Sequence, residues 1–232
     1  MGAATVPVSI PVPARTAESR GIRIFQSNFP IAPLYKDVAE LVSQSGVFYT
    51  PTLIVSYGGP WGENWFYTST EVHDDKKLNR FMPHNLVDSK SRRRPWFRND
   101  EYFFPKVAES AGRILRAGGH LGIGSHGQIQ GLGYHWEMWM LASGGLKPME
   151  VLRVATMGGA EALALSQDLG SIEAGKLADL VILAKNPLDD IHNTNTVRYV
   201  MKNGELFEGD TLDQLWPTAK KLPPLWWWNQ KP

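Results

Sequence analysis

Apolar positions along the chain follow two regimes. Between residues 32 and 165 they alternate between helical and strand-like spacing, and after residue 165 they come in short runs bounded by turn residues. Leu34, Val38, Leu41 and Val42 share one face of a helix predicted over residues 32–46, and Gly46 suits its C-terminal cap. Residues 47–56 are rich in β-branched and aromatic side chains and predict a buried strand interrupted by Pro51. Val107, Ala111, Ile114 and Leu115 define a helix over 106–117 that ends at Gly118-Gly119. A short strand is predicted over 120–125, and helices over 134–142 and 148–165. The last carries Pro148 in its first turn, where the missing N–H costs nothing. The order helix, strand, helix, strand, helix predicts an α/β layout with a parallel sheet.

Between these elements, residues 58–105 form a long aromatic and polar stretch, and residues 71–82 supply a helix within it. A connection of that length is functional or partly helical. Its first part, from Tyr57 through Gly58-Gly59-Pro60-Trp61-Gly62 to Tyr67, suits either a lid over an organic substrate or a loop packed on neighbouring structure. Beyond residue 165, residues 178–183 and 197–201 read as strands, and Asn203-Gly204 is a strong hairpin signal because both residues accept positive φ. The expected organisation is an irregular N-terminal arm over 1–31, an α/β unit over 32–165, antiparallel strands over 166–211 and a tryptophan-rich tail over 212–232. The adjacent indoles of Trp226, Trp227 and Trp228 cannot all face one way, so some pack against a partner and some stay exposed.

Composition narrows the function classes. The chain has 232 residues, 43% hydrophobic and 20% charged, which is ordinary for a globular protein. A net charge of +1 gives no field that would draw it to nucleic acid or anionic lipid. The basic run Ser91-Arg92-Arg93-Arg94 reads as a solvated loop or helix end. There is no cysteine, which excludes disulfides, thiolate zinc sites and a cysteine nucleophile. No apolar run reaches the roughly 20 residues of a membrane span. Residues 1–16 are broken by Pro7, Pro11 and Pro13 and lack the basic start of a signal peptide, so the cytoplasm is the default expectation. Residues 127–133 hold three glycines without a phosphate-loop lysine, which argues against nucleotide binding.

The segment Gly170-Ser171-Ile172-Glu173-Ala174-Gly175-Lys176-Leu177-Ala178-Asp179-Leu180-Val181-Ile182-Leu183 carries the clearest motif. Asn186-Pro187-Leu188 and Val200-Met201-Lys202-Asn203-Gly204 continue it. Together they resemble the signature of the amidohydrolase superfamily, nearest to its imidazolonepropionase-like subgroup. The resemblance covers residues 33–211. It implies an α/β fold made of the last strands of a metal-dependent-hydrolase (β/α)₈ barrel, plus the C-terminal strands of a small β-sandwich. Residues 49–53 resemble the seventh barrel strand, 119–127 the eighth, and 148–165 the helix after it. Asp179 then serves backbone hydrogen bonds.

What the resemblance implies chemically is hydrolysis of non-peptide C–N bonds in a small amide-like substrate, by water activated on a divalent metal, zinc first. The site would lie at the C-terminal ends of the strands. The chain departs from the family's ligand pattern. It has no His-x-His pair. Gln26-Ser27 stands where the sixth-strand histidine belongs, and Gly124-Ser125-His126-Gly127 stands where the family has Gly-Thr-Asp. His126 is therefore the candidate catalytic residue and the one candidate metal ligand. One imidazole cannot hold a zinc that needs about three protein ligands, so no tightly held metal is expected in the chain by itself. His135 and Glu137 are further candidates, either as orienters of the site or as a pair at a helix start. His120 reads as structural, and His73, His84 and His192 as exposed. Two readings remain open: a hydrolase completed by another chain or by an unusual site around His126, and a non-catalytic binding or structural unit. An open barrel edge also invites self-association.

Overall fold

The structure, a computed structural model, describes residues 23–228 apart from residues 27, 30, 57, 93 and 94. The proline-broken stretch 1–16, Ser27, Tyr57, Arg93 and Arg94 lie outside the described residues. The fold is mixed α/β, with one parallel and one antiparallel sheet.

The parallel sheet has three strands in sequence order, β1 (Ile24–Gln26), β2 (Phe48–Thr50) and β3 (His120–Leu121). Phe48 lies opposite both Ile24 and His120. β1 falls in the arm expected to be irregular. β2 is much shorter than its apolar run predicts, because the chain turns after Pro51 into a 3₁₀ segment, Leu53–Val55. β3 likewise stops early, although the Gly122 N–H still donates to the Tyr49 carbonyl at 3.0 Å. Tyr49 and Leu121 are buried at the centre.

Helices cover this sheet. α1 (Lys36–Gln44) precedes β2, and Gly46 just beyond it sits at φ +68°, the left-handed conformation expected of a C-terminal glycine. The long connection between β2 and β3 is mostly helical: α2 (Gly62–Ser69), α3 (Lys76–Phe81), α4 (His84–Ser91) and α5 (Phe104–Arg116). The aromatic stretch is thus no simple loop. Phe66 and Tyr67 are buried, and Phe66 stacks on Trp136 at 4.5 Å with rings 7° apart. α6 (Leu132–Ser143) follows β3 and crosses α5 closely. A Cβ on Gly144 would lie 2.4 Å from the Ala108 carbonyl carbon, so only glycine fits there.

The helix expected over 148–165 is interrupted. α7 (Pro148–Arg153) passes into a π-turn, Val154–Gly158, before α8 (Gly159–Ala162). At the interruption a Cβ on Gly158 would stand 2.3 Å from the Leu121 carbonyl oxygen, so the widened turn lets the helix lie directly on β3.

The antiparallel sheet runs β4 (Leu180–Leu183), β5 (Val197–Lys202), β6 (Glu205–Glu208) and β7 (Gln214–Trp216) in order. Asn203 at φ +50° and Gly204 at φ +80° make the β5–β6 hairpin turn. Asp179 ties β4 to that turn by accepting the Asn203 N–H at 2.7 Å and pairing with Lys202. The tail returns to the helices, where the Trp227 and Trp228 indoles both donate to the Arg80 carbonyl, at 3.2 and 2.7 Å, while Trp226 stays exposed. Among the described residues, no helix is long and apolar enough to cross a membrane.

Candidate active site at the strand ends

In a parallel sheet the C-terminal strand ends share one rim. Here that rim carries Gln26, Thr50 and the chain leaving β3. Asn28 ties the first two together, donating from Nδ2 to the Thr52 carbonyl at 3.0 Å. Its Oδ1 is buried with no hydrogen-bond partner, as is Ser56 Oγ. Beyond β3 the backbone passes tightly over Thr50. A Cβ on Gly122 would lie 2.8 Å from Thr50 Oγ1, and one on Gly124 would lie 2.9 Å from Thr50 Cγ2. These glycines bring the chain close enough to deliver His126 at the rim.

His126 is exposed and holds φ +53°, an uncommon conformation for a residue with a side chain. Such conformations gather at functional sites, where surrounding structure imposes them. Here Ile129, fully buried three residues on, anchors the loop. The Nδ1 of His126 lies 3.4 Å from Gln128 Nε2, and Lys90 of α4 donates to Gln128 Oε1 at 3.4 Å. The helical connection therefore reaches over the rim beside His126.

His135 and Glu137 sit on α6 and face different ways, because residues two apart on a helix do not share a face. Glu137 is fully buried, and its carboxylate accepts the backbone N–H groups of Leu53 at 2.6 Å and Ile54 at 3.0 Å. Burial drives its carboxyl well above the usual range, against the pull of those two donors. It holds the chain just past β2 in place. His135 has a buried Nδ1 without a partner, and burial lowers its pKa to about 4, helped by Lys77 and opposed by Asp75. Among the described residues no hydrogen bond or ion pair joins His126, His135 and Glu137. His120, at the other end of β3, stacks on Phe48 at 4.6 Å, and His192 is exposed.

The described residues at the strand ends do not by themselves fit a divalent metal. Zinc there needs about three protein ligands, and among the described residues the His, Asp and Glu ligand atoms that converge are those of His73, His84 and Asp88, within 4.8 Å of one another. These belong to the connection before β3, on α4 and on the 3₁₀ segment Val72–Asp74. His73 is half-buried, not exposed as its polar surroundings predict, because its ring lies between Glu71 and Asp88. The signal available in the sequence was the spacing of His84 and Asp88, one helical turn apart.

A family model described as the amidohydrolase family matches residues 16–207. Among solved structures, a Xaa-Pro dipeptidase with bound methionine in its active site aligns at 24% identity with TM-score 0.52, covering 82% of this chain and 41% of that one. An uncharacterized protein aligns at 28% identity with TM-score 0.51, covering 83% and 42%. The ochratoxinase of A. niger aligns at 20% identity with TM-score 0.52, covering 82% and 37%. The chain spans about two-fifths of the length of these structures. No curated protein matches it.

Proposed function

The chain belongs to the amidohydrolase family, and from that membership we propose that it hydrolyses non-peptide C–N bonds in small amide-like substrates at the strand ends around His126. In this reading β1, β2 and β3 are the last strands of a (β/α)₈ barrel, and β4–β7 belong to a small β-sandwich. The family match supports hydrolysis over a catalytically silent binding unit. The net charge of +1 supports a small-molecule substrate over nucleic acid.

The observation that carries the proposal is the position of His126, exposed in a left-handed turn at the C-terminal end of β3. Hydrolysis of an amide adds water to the carbonyl carbon and breaks the C–N bond, and the departing nitrogen must gain a proton. An imidazole is the side chain best suited to move that proton near neutral pH. His126 takes this role, with Gln128 beside it to orient the ring. Glu137 acts at one remove, fixing the Leu53–Ile54 backbone on which the rim is built. Because the described residues of the rim hold no metal-ligand set, no step here runs through a bound ion.

The test is amine release by the purified chain from a panel of cyclic amides, imides and N-acyl amino acids, with dipeptides for comparison. The expected result is release from one or more of the non-peptide amides. Release from the dipeptides alone, or from no compound, overturns the proposal.

A further inference from the structure

We propose that His73, His84 and Asp88 form a binding site for a divalent transition metal of zinc's class, which clamps the helical connection between β2 and β3. The donors come from two separate elements. His73 lies in the 3₁₀ segment Val72–Asp74, whereas His84 and Asp88 stand one turn apart on the same face of α4. The two oxygens of Asp88 are divided between the imidazoles: Oδ1 lies 2.9 Å from His73 Nε2 and Oδ2 lies 3.2 Å from His84 Nδ1. A tetrahedral zinc with bonds of about 2.0–2.1 Å sets its ligand atoms about 3.3 Å apart. Each imidazole already stands near that distance from one Asp88 oxygen, and one donor atom from each of the three residues lies within 4.8 Å of the others. The remaining adjustment is a closer approach of the two rings, whose centroids are 5.6 Å apart. His84 is exposed at the start of α4, so its ring can shift without displacing core side chains.

The surroundings have the features of a built metal site. Glu71 Oε1 holds Nδ1 of His73 at 2.7 Å, which fixes the ring and directs Nε2 toward the centre. A carboxylate on the far nitrogen of a ligating histidine is the usual outer partner at such sites. The backbone is also preorganised, since Val87 beside Asp88 is fully buried and Asp75 caps α3 by accepting the Leu78 N–H at 2.8 Å. Among the described residues Arg92 competes: its Nη2 lies 3.9 Å from Asp88 Oδ2, on a side chain 77% exposed that can swing into solvent. Two imidazoles and a single carboxylate select zinc, cobalt or nickel over calcium or magnesium, which take all-oxygen sets. Three protein ligands leave the fourth position to water.

This inference does not depend on the hydrolytic role of His126, and its test does not use turnover. The chelator-stripped full chain is titrated with Zn²⁺ by calorimetry and with Co²⁺ by visible absorption. The expected result is one ion per chain, cobalt d–d bands of a four-coordinate nitrogen and oxygen site, and a higher melting temperature with Zn²⁺. His84→Ala and Asp88→Asn, both at accessible positions, should abolish uptake while keeping the wild-type circular dichroism. Glu71→Gln should weaken binding by about 10–100-fold, and His126→Ala should leave it unchanged. Failure of the wild-type chain to take up Zn²⁺ overturns the proposal. So does undiminished uptake by the His84→Ala/Asp88→Asn double variant, or loss of uptake on His126→Ala alone.

Discussion

The carboxylate of Glu137 accepts the backbone N–H of Leu53 at 2.6 Å, across 84 positions of the sequence. Its second oxygen takes the N–H of Ile54, so one buried side chain supplies both acceptors that the chain needs where it turns out of β2. Removing it strands two buried donors, at about 1–3 kcal/mol each. Glu137→Ala is therefore expected to lose about 2–6 kcal/mol, seen as a melting temperature lower by about 5–20 °C for a domain of this size. A melt within a degree or two of wild type would show that the contact is dispensable.

His135 makes stability depend on acid. Burial, helped by Lys77, lowers its folded pKa to about 4 from an ordinary 6.5. A lowered histidine pKa means that the folded state favours the neutral ring. Its contribution is fully present above pH 6.5 and is lost as pH falls toward 4. His135→Gln should flatten the decline of melting temperature between those values. An acid limb identical to wild type would contradict this assignment.

The end of the tail is fastened at Arg80. Trp228 donates to the Arg80 carbonyl at 2.7 Å, and the Arg80 guanidinium lies 4.2 Å from its ring centre. A hydrogen bond and a cation–π contact together contribute about 1–2 kcal/mol. Trp228→Ala should lower the melting temperature by about 2–8 °C, and Trp226→Ala, at an exposed ring, by far less. Equal losses in the two variants would refute the latch.

We expect self-association through the parallel sheet. Among the described residues β1 and β3 are its edges, and an unpaired edge offers N–H and C=O groups to another chain. Phe25 on β1 is 39% exposed and Ile31 beyond it 55%. Sedimentation velocity at micromolar concentration should show dimers or larger species, shifted toward monomer by Phe25→Lys. A monomer at every concentration would remove the edge from consideration.

Elements with a strong internal rhythm were legible in the sequence. Val107, Ala111 and Ile114 are all buried on α5, and Asn203-Gly204 turns the hairpin as its backbone preferences require. What escaped depends on contacts between distant segments. β1 is three residues long and takes its identity from its register with β2. α2 begins in a glycine-rich stretch without helical rhythm, and its burial comes from Phe66 against Trp136. The π-turn follows from the approach of Gly158 to β3, which no local pattern announces. At the site, the place of His126 followed from a strand ending among glycines. His135 and Glu137 were expected as orienters of the site or as a pair at a helix start, but residues two apart on α6 do not share a face, so they do not pair. The partners of Glu137 lie more than 80 positions away and could not be read from its neighbours.

The central claim is that His126 moves the proton in C–N hydrolysis at the strand ends. It is tested most directly by kcat/KM of wild type and His126→Ala on the best non-peptide amide, with folding checked by circular dichroism. General acid–base catalysis contributes about 10²–10⁴-fold, so a loss of that size in kcat, with KM little changed, is the predicted result. A kcat unaltered by His126→Ala would contradict the account.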